Sequence, residues 1–253
     1  MLAVRGAKVV IIGRPDAKIE IDSVEAAKND MLEAGVNETD LLTIVADLCD
    51  SETPRQIVNE TIEKFGKLDI LINSAGFVST DPALRGINCP IEHFDIMMNI
   101  HCKAVILLVQ AATAHLVATK GSIVNVSFMI SMAFMNQIHA YYAAAKAAQD
   151  HITVQMAGHL IKEGVRVNSV LPGIAATNIA ASSGLKPIVG EVAKEFIQTP
   201  YCVPIGRIAT VADIAKVVVF LADSSQSGYV TGARIPVDGG AHLMNVQASV
   251  ERK

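Results

Sequence analysis

The chain has 253 residues, a length that fits one large domain better than two and leaves room for a sizeable apolar core. Hydrophobic residues make up 51% and charged residues 18%, with mean hydropathy +0.39, which excludes a disordered chain or a fibrous repeat. A net charge of −4 and an aromatic content of 4%, with no Trp, argue against the basic, base-stacking surface of a nucleic-acid binder.

In chain order, Met1-Leu2-Ala3-Val4-Arg5-Gly6 carries no apolar stretch followed by a small-residue cleavage site, so no secretory signal is read and the cytoplasm is the expected compartment. Lys8-Val9-Val10-Ile11-Ile12-Gly13 is a β-branched run closed by glycine, the pattern of a strand buried on both faces. Leu41 to Val45 and Leu68 to Ile72 read the same way. Between those two, Thr53 predicts an N-cap and Pro54 a first helical position, after which Val58, Ile62 and Phe65 recur at helical spacing. Ala104 to Thr119 is apolar but short for a membrane span and contains Gln110 and His115, so it predicts a buried helix and no membrane partner. Ser122 to Val126 and Val165 to Val170 are two further strands, separated by a helical pattern from Tyr142 to Lys162. Thr210 and Asp213 form a capping-box pattern before the apolar run Ile214 to Leu221, and Arg234 to Val237 is a last short strand. Residues 242–253 read as a tail.

Strands alternating with helices over the whole length predict an α/β fold, a single domain spanning 1–253 with a Rossmann-like, doubly wound parallel sheet. Ligands of such sheets sit at the carboxyl ends of the strands, which is where chemistry is sought. The four cysteines, Cys49, Cys89, Cys102 and Cys202, contain no C-x-x-C pair, and the seven histidines are dispersed, so neither a disulfide framework nor a metal is implied.

The sharpest constellation is Tyr142-Ala143-Ala144-Ala145-Lys146. A spacing of four puts the phenol and the ammonium on one helix face, about 5–6 Å apart at Cβ. A neighbouring cation stabilises phenolate, so the pair can trade a proton with a carbonyl or alcohol oxygen. Taken alone, it is also an ordinary chance pairing on a helix.

Around this pair the chain carries Asn73-Ser74-Ala75-Gly76 after a strand, Asn99 in Phe94-Asp95-Ile96-Met97-Met98-Asn99, and Pro172-Gly173-Ile174-Ala175-Ala176-Thr177. Tyr229-Val230-Thr231-Gly232 and Val237-Asp238-Gly239-Gly240 follow, and Asp47-Leu48 stands just after the strand ending near Ala46. In this order the segments resemble the short-chain dehydrogenase/reductase family, and they cover roughly Arg5 to Ala241. The resemblance implies hydride transfer between a nicotinamide cofactor and a carbonyl or secondary alcohol. Tyr142, Lys146 and Asn99 would be its catalytic residues, with Tyr142 as general acid or base, Lys146 lowering its pKa and holding the nicotinamide ribose, and Asn99 placing a relay water. Arg14, Asp47, Leu48, Asn73, Ala75, Gly76, Tyr142, Lys146, Pro172, Gly173 and Thr177 would line the cofactor. An interval of four between Tyr and Lys favours this family over its enoyl-reductase relatives. Arg14 directly after the first strand, with Asp16 only two residues on, favours NADP(H) over NAD(H).

Two features depart from the family pattern. Its opening strand and T-G-x-x-x-G-x-G turn, which receive the pyrophosphate at a helix N-terminus, have no counterpart here, because Met1 to Ala7 already resembles the end of that helix. The missing strand would lie between the one at Val9 and the one at Ile70, so either those two close up, or the chain as given folds poorly, or the sequence is an incomplete version of a longer natural chain, and cofactor binding is in question. The second departure concerns the family's substrate-binding Ser: counted back from Tyr142, its position falls on Phe128 in Ser127-Phe128-Met129-Ile130-Ser131. Ser127 would point away from the site, and Ser131 would substitute only from a recast loop.

Two functions therefore stand: an oxidoreductase acting on a small or medium apolar carbonyl or alcohol, and an inactive relative serving as a binding or interface protein. Ile179, Leu185, Ile188, Val189, Phe196 and Ile197 suggest an apolar lid of unspecified shape. The helix after Lys103 is apolar almost all round and needs cover on both faces, which family members supply as a homodimer or homotetramer; burial within one subunit is the alternative.

Overall fold

The computed structural model describes residues 1–15, 18–78, 89–133, 140–177, 190–199 and 202–244. Elements alternate as expected: β1 (Val9–Gly13), α1 (Lys18–Glu33), β2 (Leu41–Val45), α2 (Thr53–Phe65), β3 (Ile70–Asn73), α3 (Glu92–Met98), α4 (Ala104–Thr119), β4 (Ser122–Val126), α5 (Ala140–Leu160) and β5 (Arg166–Pro172). They continue with α6 (Gly190–Gln198), α7 (Val211–Ala222), α8 (Ser224–Ser227), β6 (Arg234–Val237) and α9 (Ala241–Met244). Asp16, Ile179, Leu185, Ile188, Val189 and the tail beyond Met244 lie outside the described residues, as does the side chain of Phe196.

Among the described residues six strands pair in parallel within their sheets, and the side chains of β4 and β5 alternate between two helical layers. Ile123 and Val167 face Val109, Ala112 and Leu116 of α4 and Ala157 of α5, while Val124 and Val170 face Val218, Leu221 and Ala222 of α7. The polar residues of the same strands follow the same period: Asn125 and Ser169 point to α5, and Ser122 donates to the carbonyl of Ala222 at the end of α7. Arg166 is 4% exposed and donates to the carbonyls of Leu221, Ser227 and Val230, holding the end of α7 and the turn after it to β5. The capping box forms as predicted, Thr210 accepting from the Asp213 amide and Asp213 from the Thr210 amide. At α2 the N-cap is Glu52 rather than Thr53, which is already helical and buried.

The sheet is in two pieces. Among the described residues β1 pairs only with β2, and β3 begins a separate sheet of order β3-β4-β5-β6, so there β1 and β3 do not close up on each other. Both pieces rest on one apolar layer, in which Val10, Ile12 and Leu71 pack with Ile100, Ala104 and Leu108. β1 and β3, whose sequences read as buried on both faces, are mostly half-buried, whereas every residue of β5 is buried. Partial exposure lets water satisfy edge groups that would otherwise cost about 1–3 kcal/mol each.

α4 continues α3 without a break, through a π-helical turn at Asn99–Lys103, to make a helical run from Glu92 to Thr119. The run is longer than the sequence pattern suggested, and by length and composition it is long and apolar enough to cross a membrane. Here it is a core helix: Val105, Leu108, Val109, Ala112 and Leu116 are buried.

The break makes a direct expectation for hydrogen exchange. Amides on the β1 and β3 edges that face neither β2 nor β4 should exchange at least about 100-fold faster than those of β4 and β5. Equal protection across β3 and β4 would mean that the two pieces are hydrogen-bonded in solution.

Candidate active site

Tyr142 and Lys146 lie one turn apart on the inner face of α5, each 4% exposed. The alanines around them explain how the helix comes so close to the sheet: Ala145 between them is fully buried and adds little bulk. The Lys146 Nζ donates to the Val126 carbonyl at the end of β4 and to Gln149 Oε1, both at 3.0 Å, and sits 5.8 Å from the centre of the Tyr142 ring. Burial drives the ammonium down to about 8, against the opposing pull of the Asp150 carboxylate. Burial likewise pushes the Tyr142 phenol well above its ordinary value. Both groups are thus held toward neutrality, the state in which a phenol can give a proton away.

A buried polar chain ties this pair to the sheet. Asn73 Nδ2 donates to Asn125 Oδ1 and Asn125 Nδ2 to Thr153 Oγ1, both at 2.8 Å; Thr153 Oγ1 donates to the Gln149 carbonyl, and Gln149 receives Lys146. Ser169 donates to the buried Asp150 carboxylate at 2.8 Å. Chains of this kind fix the register of a helix on a sheet, although here the Asn73 Oδ1 and the Asp150 Oδ2 are buried with no partner among the described residues.

The π-helical turn starts at Asn99, the predicted relay residue, and packs on α5. Its second buried residue is His101, 1% exposed. The His101 Nε2 lies 3.0 Å from the Phe77 carbonyl, and the ring meets Tyr142 edge-on with centroids 5.1 Å apart. The same ring presses on Gly76, where a Cβ would come within 2.5 Å of the imidazole Cε1. Tyr141, by contrast, is structural: its hydroxyl donates to the Cys89 carbonyl and its ring packs on Phe94.

The residues expected on the cofactor side fall along the carboxyl ends of the strands. Arg14 follows β1 and lies over the Phe77 ring, its guanidinium carbon 5.9 Å from the centroid. The Asp47 carboxylate accepts from the Cys49 amide at 2.9 Å, closing a turn after β2. Ala75 and Gly76 follow β3; Pro172 ends β5; and Gly173 donates to the Val237 carbonyl, with a Cβ there meeting Asp238 at under 3 Å. Thr177 is half-buried at the end of that segment. The side chain of Leu48 is packed into the core with Ile44 and Ile57, and the Asn73 Nδ2 donates to Asn125 while its Oδ1 has no partner among the described residues, so Leu48 would meet a ligand through its backbone.

Phe128 is where the Ser count placed it, its ring 6.0 Å from that of Tyr142. Ser127 is buried and turned to the Lys146 carbonyl, as the alternation of an extended strand requires. Ser131 closes a short helical turn with a buried, unpartnered hydroxyl, and the loop is not recast. Met97, Met129, Ile130, Phe77 and Val78 complete an apolar wall around Tyr142.

Sequence reading missed His101 and Gln149. Gln149 had a signal, since a residue three after an inward lysine shares its face. His101 had none, because only the widened turn brings it beside Tyr142.

Fold and site together define a dinucleotide-type α/β oxidoreductase. A family model described as enoyl-(acyl carrier protein) reductase matches residues 1–242. The chain is 31% identical over 198 residues to a 3-oxoacyl-[acyl-carrier-protein] reductase of Thermotoga maritima, covering 78% of this chain and 75% of that one. It is 30% identical over 221 residues to meso-2,3-butanediol dehydrogenase of Serratia marcescens, covering 87% and 83%. Among solved structures it resembles a short-chain dehydrogenase/reductase of unknown function from Caenorhabditis elegans, determined with cofactor, at TM-score 0.86 and 33% identity, covering 95% and 88%. The chain belongs to the short-chain dehydrogenase/reductase family.

The buried Lys146 makes stability depend on pH with a definite sign. Unfolded, the lysine keeps its proton until 10.5, whereas folded it loses it near 8, so in that window the unfolded chain binds more protons and stability rises with pH. Relative to Lys146→Met, the unfolding free energy of the natural chain should rise by on the order of 3 kcal/mol between those pH values. Denaturant unfolding of both proteins across the window measures it, and parallel pH profiles would refute the burial of the charge.

Proposed function

We propose that the protein transfers hydride between a nicotinamide cofactor and an apolar carbonyl or secondary alcohol. The observation that carries this reading is the Tyr142–Lys146 pair, buried side by side at the strand ends beneath an apolar wall. Arg14 and the turn at Ala75 and Gly76 stand at one end of the strand row, and Pro172, Gly173 and Thr177 at the other, so the donors fit the two ends of a dinucleotide. Gly173 fits as well, since the backbone there is close-packed with no room for a side chain. The bound nicotinamide supplies the hydride.

The protein's own groups do the rest. Tyr142 gives its proton to the carbonyl oxygen on reduction and takes it back on oxidation. Lys146, held by Val126 and Gln149, has one N–H left for a ribose hydroxyl and favours the phenolate when charged. Phe128, Met129 and Ile130 exclude water and select an apolar substrate. Arg14 over Phe77 supports NADP(H), as a planar cation suited to a 2′-phosphate. The half-buried Ile106, Leu107 and Ala111 of α4 support a homodimeric or homotetrameric contact on that helix.

Titration of the purified chain with NADPH and NADH, read by nicotinamide fluorescence and melting temperature, tests the first step. NADPH should bind at least about 10-fold more tightly, with a rise in Tm. If the chain melts cooperatively and neither dinucleotide binds, the pyrophosphate end is at fault, and a variant extended ahead of Met1 by a strand and a T-G-x-x-x-G-x-G turn should then bind. No binding by that variant overturns the cofactor reading. With acetoacetyl thioester and 2,3-butanedione as probes, Tyr142→Phe should lower kcat by about 10²–10⁴-fold.

Phe128→Ser should raise kcat on the same probes by about 100-fold, the expected effect of one added donor to the reacting oxygen. An unchanged kcat would mean that the apolar wall, and not a hydroxyl at this position, is what the substrate needs.

A further inference from the structure

His101 is a buried titratable residue to which the activity above gives no part, yet it touches both halves of the site. Its Nε2 lies 3.0 Å from the Phe77 carbonyl, and since a carbonyl only accepts, this nitrogen carries the hydrogen. Its edge fills the hollow left by Gly76, so tightly that any Cβ there would collide with it. Its ring meets Tyr142 edge-on at 5.1 Å, at 78° between planes. The turn that brings it there is π-helical, one residue wider than its neighbours, and such insertions re-aim a side chain at a cost in regular hydrogen bonding.

We propose that His101 is a positioning residue for Tyr142, a clamp that sets the phenol ring against the Gly76–Phe77 turn and passes the charge state of its own imidazole to the phenol. The inference rests on the reading of Tyr142 as the acid–base group. Three contacts on three sides give the imidazole little rotational freedom, so Tyr142, the Phe77 carbonyl and Gly76 move together or not at all. A ligand seated on the turn after β3 thereby acts on the phenol through His101.

The electrostatic part follows from where the ring sits. Imidazole is the side chain whose ordinary pKa lies closest to neutrality, and an imidazolium 5.1 Å from a phenol ring favours the phenolate. Among the described residues, the other titratable groups around the clamp include Lys146 on α5, Cys102 on the same π-helical turn, and Arg14 across Phe77. Cys102 is pushed up to about 11 by burial and stays a neutral thiol, which leaves Lys146, Arg14 and His101 as the basic side chains of this corner among the described residues. Of these, His101 is the one whose ring touches the phenol ring edge-on.

The test is a pH titration of the whole chain labelled with ¹⁵N in histidine rings and ¹³C at tyrosine Cζ, assigned with His101→Gln and Tyr142→Phe. His101 should be the Nε2–H tautomer, and the Tyr142 Cζ resonance should step at the midpoint of the His101 titration, a step absent from His101→Gln. An Nδ1–H tautomer, or a Tyr142 resonance that stays flat through that titration, would overturn the proposal, as would a His101 that never ionises while the chain is folded. In turnover of the butanedione probe, His101→Leu should lower kcat at least about 10-fold with KM little changed, while His101→Gln, which can still donate to Phe77, recovers most of the loss. Tyr142→Phe separates the two readings: if it turns over normally, the acid–base assignment falls whatever the resonances show.

Discussion

Lys146 keeps a charge away from water, and the wall between β4 and α5 is organised by that requirement. A buried ammonium without acceptors would simply lose its proton. Here the Val126 carbonyl and Gln149 stabilise it, Asp150 lies one turn further along the helix, and Thr153 and Asn125 pass the bonding back to Asn73 on β3. Each member of the chain is placed by the next, so the register of α5 on the sheet and the position of Tyr142 are consequences of satisfying one cation. Replacing any one of them would leave a buried polar group unpaired, which costs more than the bond itself contributes.

The two-piece sheet shows how far that organisation extends. β3 to β6 carry the polar chain, the Arg166 anchor and the tightest packing, while β1 and β2 join them through the apolar layer of α2 and α4, with no strand pairing between the two pieces among the described residues. Tyr142 and Lys146 therefore stand on the better-determined piece. Arg14 and Asp47 stand with β1 and β2, the piece that among the described residues meets the rest through apolar side chains.

The apolar wall and the two titratable rings beside it set the character of the site. Phe128, Met129, Ile130 and Phe77 remove water from the phenol, which raises the cost of any charge there and makes nearby cations count for more. Lys146 and His101 approach Tyr142 from its own helix and from the π-helical turn before α4, so the phenol is bracketed by two basic side chains. Gly76 matters for the same reason: its missing side chain is the space the imidazole occupies.

Much of this was legible in the residues themselves. Six strands, their parallel order and the capping box at Thr210 follow from periodicity and local chemistry, because apolar runs of period two and Thr-x-x-Asp act over a few residues. The Tyr142–Lys146 pair was legible because four residues along a helix always share a face, and Phe128 in place of a serine was legible by counting. What lay beyond reading was decided by contacts distant in sequence: that β1 and β3 do not pair among the described residues, that the Asn73 Nδ2 donates to Asn125 across fifty-two positions, and that the Leu48 side chain packs in the core. His101 is the clearest case. On a regular helix it would turn away from Asn99 and from the site. Only the packing of the Asn99–Lys103 turn between α5 and the turn after β3 widens the helix and delivers the imidazole to Tyr142, a rearrangement with no local signature because its cause lies in the neighbours.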